Sequence, residues 1–221
     1  MINVAIDGPA GAGKSTISRA AAKELGFIYI DTGALYRTVG LNALRTGADL
    51  DSAESVAATL TDDLKVELRF VDGEQRMFLN SEDVSLAIRT PEASMAASKV
   101  SAVPAVRGYL FDLQKKLAQE NNCIMDGRDI GTVVLPDAKV KIFLTASPES
   151  RAKRRYDELC EKGMDVSFED VLADMKQRDY NDSHREIAPL RPAKDAILLD
   201  TSGFELERSV ALIIKTIKDN I

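Results

Sequence analysis

Asn3-Val-Ala-Ile-Asp-Gly-Pro-Ala-Gly-Ala-Gly-Lys-Ser-Thr16 holds a complete phosphate-binding loop pattern: Gly8, four residues, Gly13, Lys14, Ser15. Val4, Ala5 and Ile6 before it read as a short buried strand. Ile17, Ala21 and Leu25 after it recur every four residues, the spacing of one helical face, and Gly26 falls where a helix-ending glycine belongs. A strand, a glycine-rich turn and a helix in that order predict an α/β protein with its ligand at the turn. Glycines let backbone N–H groups approach a phosphate, and the helix N-terminus adds unpaired donors and partial positive charge. Lys14 can reach the β- and γ-phosphates, and the Ser15 hydroxyl suits a Mg²⁺ ligand. The stretch therefore predicts binding of a nucleoside triphosphate, with phosphate contacts from Gly8, Pro9, Ala10, Gly11, Ala12, Gly13, Lys14, Ser15 and Thr16.

The 221 residues suffice for one α/β domain with an insertion, or for two small domains. An apolar fraction of 45% and a charged fraction of 29% are those of an ordinary globular protein. A net charge of −6 argues against a broad nucleic-acid or membrane footprint. Cys123 and Cys160 form no metal-ligand spacing, and Cys123, in an apolar run, reads as a small buried hydrophobe. With no basic leader and no long apolar segment in view, the expected location is the cytoplasm.

Further along, Phe27-Ile-Tyr-Ile-Asp31 predicts a second strand and Ala34 to Thr46 a helix carrying Arg37 near its start. Strand ends and helix starts are where α/β proteins put ligands, so Arg37 either binds a phosphate or lies solvated on its helix. Val66, Leu68 and Phe70 alternate with polar residues, Asp72-Gly73 signals a hairpin turn, and Arg76 to Asn80 reads as the returning strand. This antiparallel piece, about residues 60–100, interrupts the strand–helix alternation and predicts an inserted lobe between core segments 1–59 and 101–221. A helix from Pro104 carries a stripe of Val106, Leu110, Leu113 and Leu117, with Arg107 one position off it. Cys123 to Asp126 is the next strand, ending in Gly127-Arg128-Asp129. There Arg128 and Asp129 either face a ligand or form a local ion pair. Val140 to Leu144 and Ala196 to Leu199 with Asp200 complete five strands.

Ser147-Pro148 opens a helix on which Arg151, Arg154 and Arg155 share a face. They repel one another unless an anion sits among them or Glu158 pairs with Arg154 in a solvated salt-bridged helix. Ser167-Phe-Glu-Asp170 is a capping box, and Arg178, Asp182 and Arg185 form one polar ridge if that helix continues so far.

Gly8 to Thr16, Asp31-Thr-Gly-Ala-Leu-Tyr-Arg37, Asp126-Gly-Arg-Asp-Ile-Gly-Thr132, Lys139-Val-Lys-Ile-Phe-Leu144 and Ala188-Pro-Leu190 together resemble the bacterial cytidylate kinases, over essentially the whole chain. The resemblance implies a P-loop core with a five-stranded parallel sheet, an inserted CMP-binding lobe and a short lid at about 147–168. It implies phosphoryl transfer from ATP, with Mg²⁺, to CMP and dCMP, in a protein expected to be a monomer. Arg37, Arg128 and Arg185 would hold the CMP phosphate; Ser98, Arg107 and Asp129 would read the cytosine; Arg178 and Asp182 would contact the ribose; Thr32 would lie against the nucleotide. Lys14 and Arg128, with Arg151, Arg154 and Arg155 from the lid, are the catalytic candidates.

A kinase for another small acceptor, such as UMP, AMP or a metabolite, is the nearer alternative. A P-loop regulatory switch is the more distant one. No guanine-reading Asn-Lys-x-Asp occurs, and the short Asp200-Thr-Ser-Gly203 match lies too near the C-terminus for one to follow.

Overall fold

The computed structural model describes every residue except Asp72, Gly73 and Lys162, together with the side chain of Glu74. The expected Asp72-Gly73 turn lies outside the described residues. In chain order the elements are β1 (Asn3–Asp7), α1 (Lys14–Leu25), β2 (Ile28–Asp31), α2 (Thr32–Arg45) and α3 (Ala53–Ala58). Then come β3 (Val66–Val71), β4 (Glu74–Leu79), β5 (Glu82–Asp83), α4 (Pro91–Val100) and α5 (Pro104–Glu120). The last are β6 (Cys123–Gly127), β7 (Val140–Thr145), α6 (Pro148–Glu161), α7 (Phe168–His184), β8 (Ile197–Asp200) and α8 (Leu206–Lys218).

Five strands form one sheet in the order β2-β6-β1-β7-β8. β1 pairs parallel with β6 and β7, and β7 with β8. A central parallel strand is covered on both faces, so Val4, Ala5 and Ile6 are all apolar and fully buried. The register aligns Ile6 with Asp126 and Asp7 with Gly127. The phosphate loop and the Gly127-Arg128-Asp129 segment therefore leave the same edge of the sheet, side by side. Ile17 and Ala21 of α1 and Ile213 and Ile217 of α8 pack on Val4, Ile6, Ile124 and Ile142. Each fully buried aliphatic side chain there contributes roughly 1.5–3 kcal/mol.

The chain divides into two compact units, Met1–Tyr29 with Ala118–Ile221, and Ile30–Leu117. The second unit is wider than the 60–100 insertion. Leu35 and Val39 of α2 and Val106 and Leu110 of α5 share one core with Val66, Met77 and Leu79 of the small sheet. That sheet is antiparallel, in the order β3-β4-β5. The short β5 was not foreseen; two exposed acidic residues carry no alternation signal.

In the first unit, α6 and α7 pack through Ala152, Leu159, Val171 and Met175, and Tyr156 meets Phe168 edge-to-face at 6.1 Å. Ser167 caps α7 by accepting from the Asp170 N–H. Gly163, after α6, sits in the left-handed region at φ 73°. α7 stops at His184 and Arg185 turns extended, so the expected ridge of Arg178, Asp182 and Arg185 does not run along one helix. Among the described residues no helix is long and apolar enough to cross a membrane.

Candidate active site

In the phosphate loop Gly8 has φ 153° and Gly13 has φ 83°, conformations that L side chains rarely adopt. Lys14 is buried, and its ammonium donates to the carbonyls of Gly8 and Pro9 at 2.8 Å each. Burial, with Arg128 second, pulls its pKa down to about 7, against the opposing pull of Asp126, Asp7 and Asp182. A phosphate arriving beside it restores the charged form.

The Ser15 hydroxyl donates to Asp126 at 3.0 Å, and the Tyr29 hydroxyl donates to the other oxygen of the same carboxylate at 3.0 Å. A hydroxyl and a carboxylate at the foot of a phosphate loop are an all-oxygen donor pair, which suits a hard divalent cation that also takes phosphate oxygens. Ser15 was expected in this place, whereas Asp126 was not assigned a metal role. Its signal was present in Cys123-Ile-Met-Asp126, an apolar strand ending in a carboxylate beside the phosphate-loop strand.

Asp7 was also missed. Its carboxylate accepts from the N–H groups of Ile130 and Gly131 at 2.8 and 2.7 Å, tying the end of β1 to the π-helical turn Ile130–Val134. Burial pushes its pKa up to about 6, although both amides pull it down.

Next to the loop lies a cluster of alternating charge. Arg128 donates through Nε to Asp182 at 2.7 Å, and Arg185 donates to Asp129 at 3.1 Å. Both aspartates are buried. Burial would push the Asp182 carboxyl up, but Arg128, Arg178 and Arg185 together hold it below the usual carboxylate range. Ala188, in the left-handed region at φ 49°, turns its carbonyl to accept from Arg185 Nε at 2.5 Å. The fold thus folds Arg185 back after α7 ends, joining it to Asp129 in the segment that follows β6.

The three α6 arginines have different surroundings. Arg151 is 3% exposed and donates to the carbonyls of Ala10 and Ala146 and to Asp179. Arg154 donates to the Thr201 carbonyl at 3.0 Å, with Nη1 3.8 Å from where a side chain on Gly13 would begin. Arg155 pairs with Glu158 at 2.9 Å, and that pairing replaces the one expected for Arg154.

The second unit carries the remaining expected residues. Arg37 donates to Asp31 at 2.8 Å, while Asp31 caps α2 by accepting from the Ala34 N–H. Arg37 Nε is buried with no hydrogen-bond partner. Arg107 lies 5.9 Å from the Tyr36 ring centroid and donates to the Ser101 carbonyl at 3.4 Å. Ser98, on α4 one turn before, is half-buried and accepts at its carbonyl from the Ser101 hydroxyl, and Thr32 is buried at the first position of α2.

A phosphate loop over a hydroxyl–carboxylate pair, with guanidinium groups held beside it, is the apparatus of a P-loop phosphotransferase. Comparison narrows the class. The family model described as cytidylate kinase matches residues 4–219, and the chain belongs to that family. It is 50% identical over 214 residues to a cytidylate kinase of Caldicellulosiruptor saccharolyticus, covering 97% of this chain and 94% of that one. To a cytidylate kinase of Carboxydothermus hydrogenoformans it is 49% identical over 218 residues, covering 98% and 97%. Among solved structures, an uncharacterized protein from Eubacterium ventriosum aligns over 99% of both chains with a TM-score of 0.52 and 13% identity, a likeness of fold alone.

Proposed function

We propose that this chain transfers the γ-phosphoryl group of ATP to CMP, and to dCMP, by direct in-line attack, giving the nucleoside diphosphate. The observation that carries this reading is the arginine–aspartate cluster of Arg128, Asp129, Asp182 and Arg185, one strand away from the phosphate loop and on the same sheet edge. Family membership supports the choice of CMP.

The attacking group is a phosphate oxygen that is already ionised near neutral pH, so the reaction needs no general base. Rate enhancement then comes from positioning and from neutralising charge as it spreads over the transferring group. Lys14 would exchange its two carbonyl partners for phosphate oxygens. Arg154, beside Gly13, is the α6 arginine best placed to add charge at the transfer point; Arg155 would have to leave Glu158 to do so. Ser15 and Asp126 would hold Mg²⁺, which would supply charge neutralisation for the phosphates.

Arg37, Arg128 and Arg185 would take the CMP phosphate. The aspartates now paired with them keep these cations neutralised while they are desolvated, a role a lone buried arginine could not sustain. Asp129, with Arg107 and Ser98, would read the base. Its carboxylate can accept from the cytosine amine but would oppose the carbonyl oxygen of uracil. Arg178 and Asp182 would contact the ribose, with Thr32 against the nucleotide. The segment 147–168 would act as the lid over the γ-phosphate. In this reading the enzyme is a cytoplasmic monomer working on small molecules.

Arg37→Ala, Arg128→Ala and Arg185→Ala are each expected to weaken CMP binding by about 1.5–3 kcal/mol, the cost of a lost charge-assisted contact, with far less effect on ATP. Separate titrations with CMP and with ATP check this. Equal losses for both ligands would remove these arginines from the acceptor site.

A further inference from the structure

Arg151 shares a helix face with Arg154 by spacing, yet its guanidinium is committed in another direction. Nε donates to the Ala146 carbonyl at 2.9 Å, and Nη1 donates to the Ala10 carbonyl at 2.8 Å and to Asp179 at 3.1 Å. Nη2 donates to the second Asp179 oxygen at 2.5 Å. Of the five N–H donors that a guanidinium has, four are taken by protein acceptors. The Asp179 carboxylate neutralises its charge, and the side chain is almost wholly buried. A group so bound has little left to offer a transferring phosphoryl.

Its partner in the loop is informative. Lys14 occupies the carbonyls of Gly8 and Pro9, and Arg151 occupies the next one, Ala10. In a planar trans peptide the N–H points opposite to the carbonyl. Drawing the Pro9 and Ala10 carbonyls to cations therefore turns the N–H groups of Ala10 and Gly11 the other way, outward from these donors. A side chain on Gly11 would begin 3.3 Å from Arg151 Cβ and 2.9 Å from Met175 Cε, so the loop already lies against α6 and α7. Once Lys14 turns to a bound phosphate, the Gly8 and Pro9 carbonyls lose their cation, and Arg151 is the one that remains.

We propose that Arg151, oriented by Asp179, is a positioning residue that holds the phosphate loop in its ATP-binding shape, and is not one of the arginines that touch the transferring phosphoryl group. The inference rests on ATP being the donor, and it is read by direct ATP binding. A chain with a different acceptor would still show the effect.

The test compares the full-length protein with Arg151→Lys and Asp179→Asn, by titration with Mg-ATP and with CMP, steady-state kinetics and thermal melting. Lysine keeps the charge but cannot span Ala10, Ala146 and Asp179 together. Its ATP dissociation constant is expected to rise about 10-fold or more, since a lost charge-assisted bond costs about 1.5–3 kcal/mol and each 1.4 kcal/mol is tenfold. The CMP constant should stay within about 2-fold, and kcat at saturating ATP should fall by less than ATP affinity does. Asp179, about one-quarter exposed, can be changed with little risk to folding, and Asp179→Asn should raise the ATP constant about 3- to 10-fold. A kcat collapse at unchanged ATP affinity would make Arg151 a reacting-centre group and overturn the proposal. So would a lowered melting temperature with ATP binding intact, which is what plain scaffolding gives. If Arg151→Lys does not fold, an unchanged ATP constant in Asp179→Asn overturns it alone.

Discussion

Lys14→Met is expected to lower kcat/KM by about 10³-fold or more while leaving the protein folded, because a preorganised cation at the transferring group is worth at least as much as a single oxyanion donor. The stability half of the expectation follows from the same geometry. Lys14 is buried, its ammonium is held by two carbonyls, and burial already disfavours its charge. Methionine keeps the length and bulk of the side chain but leaves the Gly8 and Pro9 carbonyls without this donor, so the melting temperature should fall modestly while the fold persists. Circular dichroism and a thermal melt alongside the kinetics check both halves. Near-normal turnover in folded Lys14→Met would mean that the phosphate loop is not where transfer occurs.

Gly8→Ala should damage both folding and nucleotide binding. The added carbon would begin 1.9 Å from the Leu144 carbonyl oxygen, which is backbone of β7 and cannot swing aside. Leu144 belongs to the strand that pairs with β1 just before the loop, so relief requires parting two central strands. The φ of 153° at Gly8 adds a backbone penalty to the overlap. Together these cost about 3 kcal/mol or more. At roughly 2–4 °C per kcal/mol for a chain of this size, the melting temperature should fall by about 6–12 °C. ATP affinity should fall with it, because Gly8 presents its carbonyl to Lys14. A Gly8→Ala protein that melts and binds ATP like the wild type would contradict the close approach of β1 and β7.

Much of this was legible in the residues because local rules suffice for it. The phosphate loop announces itself by glycine spacing, and buried parallel strands announce themselves as short apolar runs. The α1 ending at Gly26, the Pro104 helix start and the Ser167 cap all appear where turn and capping chemistry put them. Most of what escaped depends on contacts far apart in sequence. Asp126 and Ser15 are joined only because β6 pairs with β1 in one particular register. Spacing put Arg151, Arg154 and Arg155 on one helix face. It could not tell that Ala10 and Asp179 would claim the first of them, or that Glu158 would take Arg155 instead of Arg154. Arg185 was expected on a ridge with Arg178 and Asp182 only if α7 continued that far. The extended backbone after His184 and the left-handed Ala188 instead fold it back onto Asp129. The compact unit that holds the antiparallel strands also takes in α2 and α5, because a core shared between distant segments leaves no local trace in the sequence.

ADP release from Mg-ATP, measured at equal concentrations of CMP, dCMP, UMP, AMP and GMP and with no acceptor, tests the central claim most directly. The account predicts fast release with CMP and dCMP and little without an acceptor. For UMP it predicts a rate about 10- to 100-fold lower, since a carbonyl opposing the buried Asp129 carboxylate costs roughly 1–3 kcal/mol. Equal rates with CMP and UMP, or release that ignores the acceptor altogether, would contradict it.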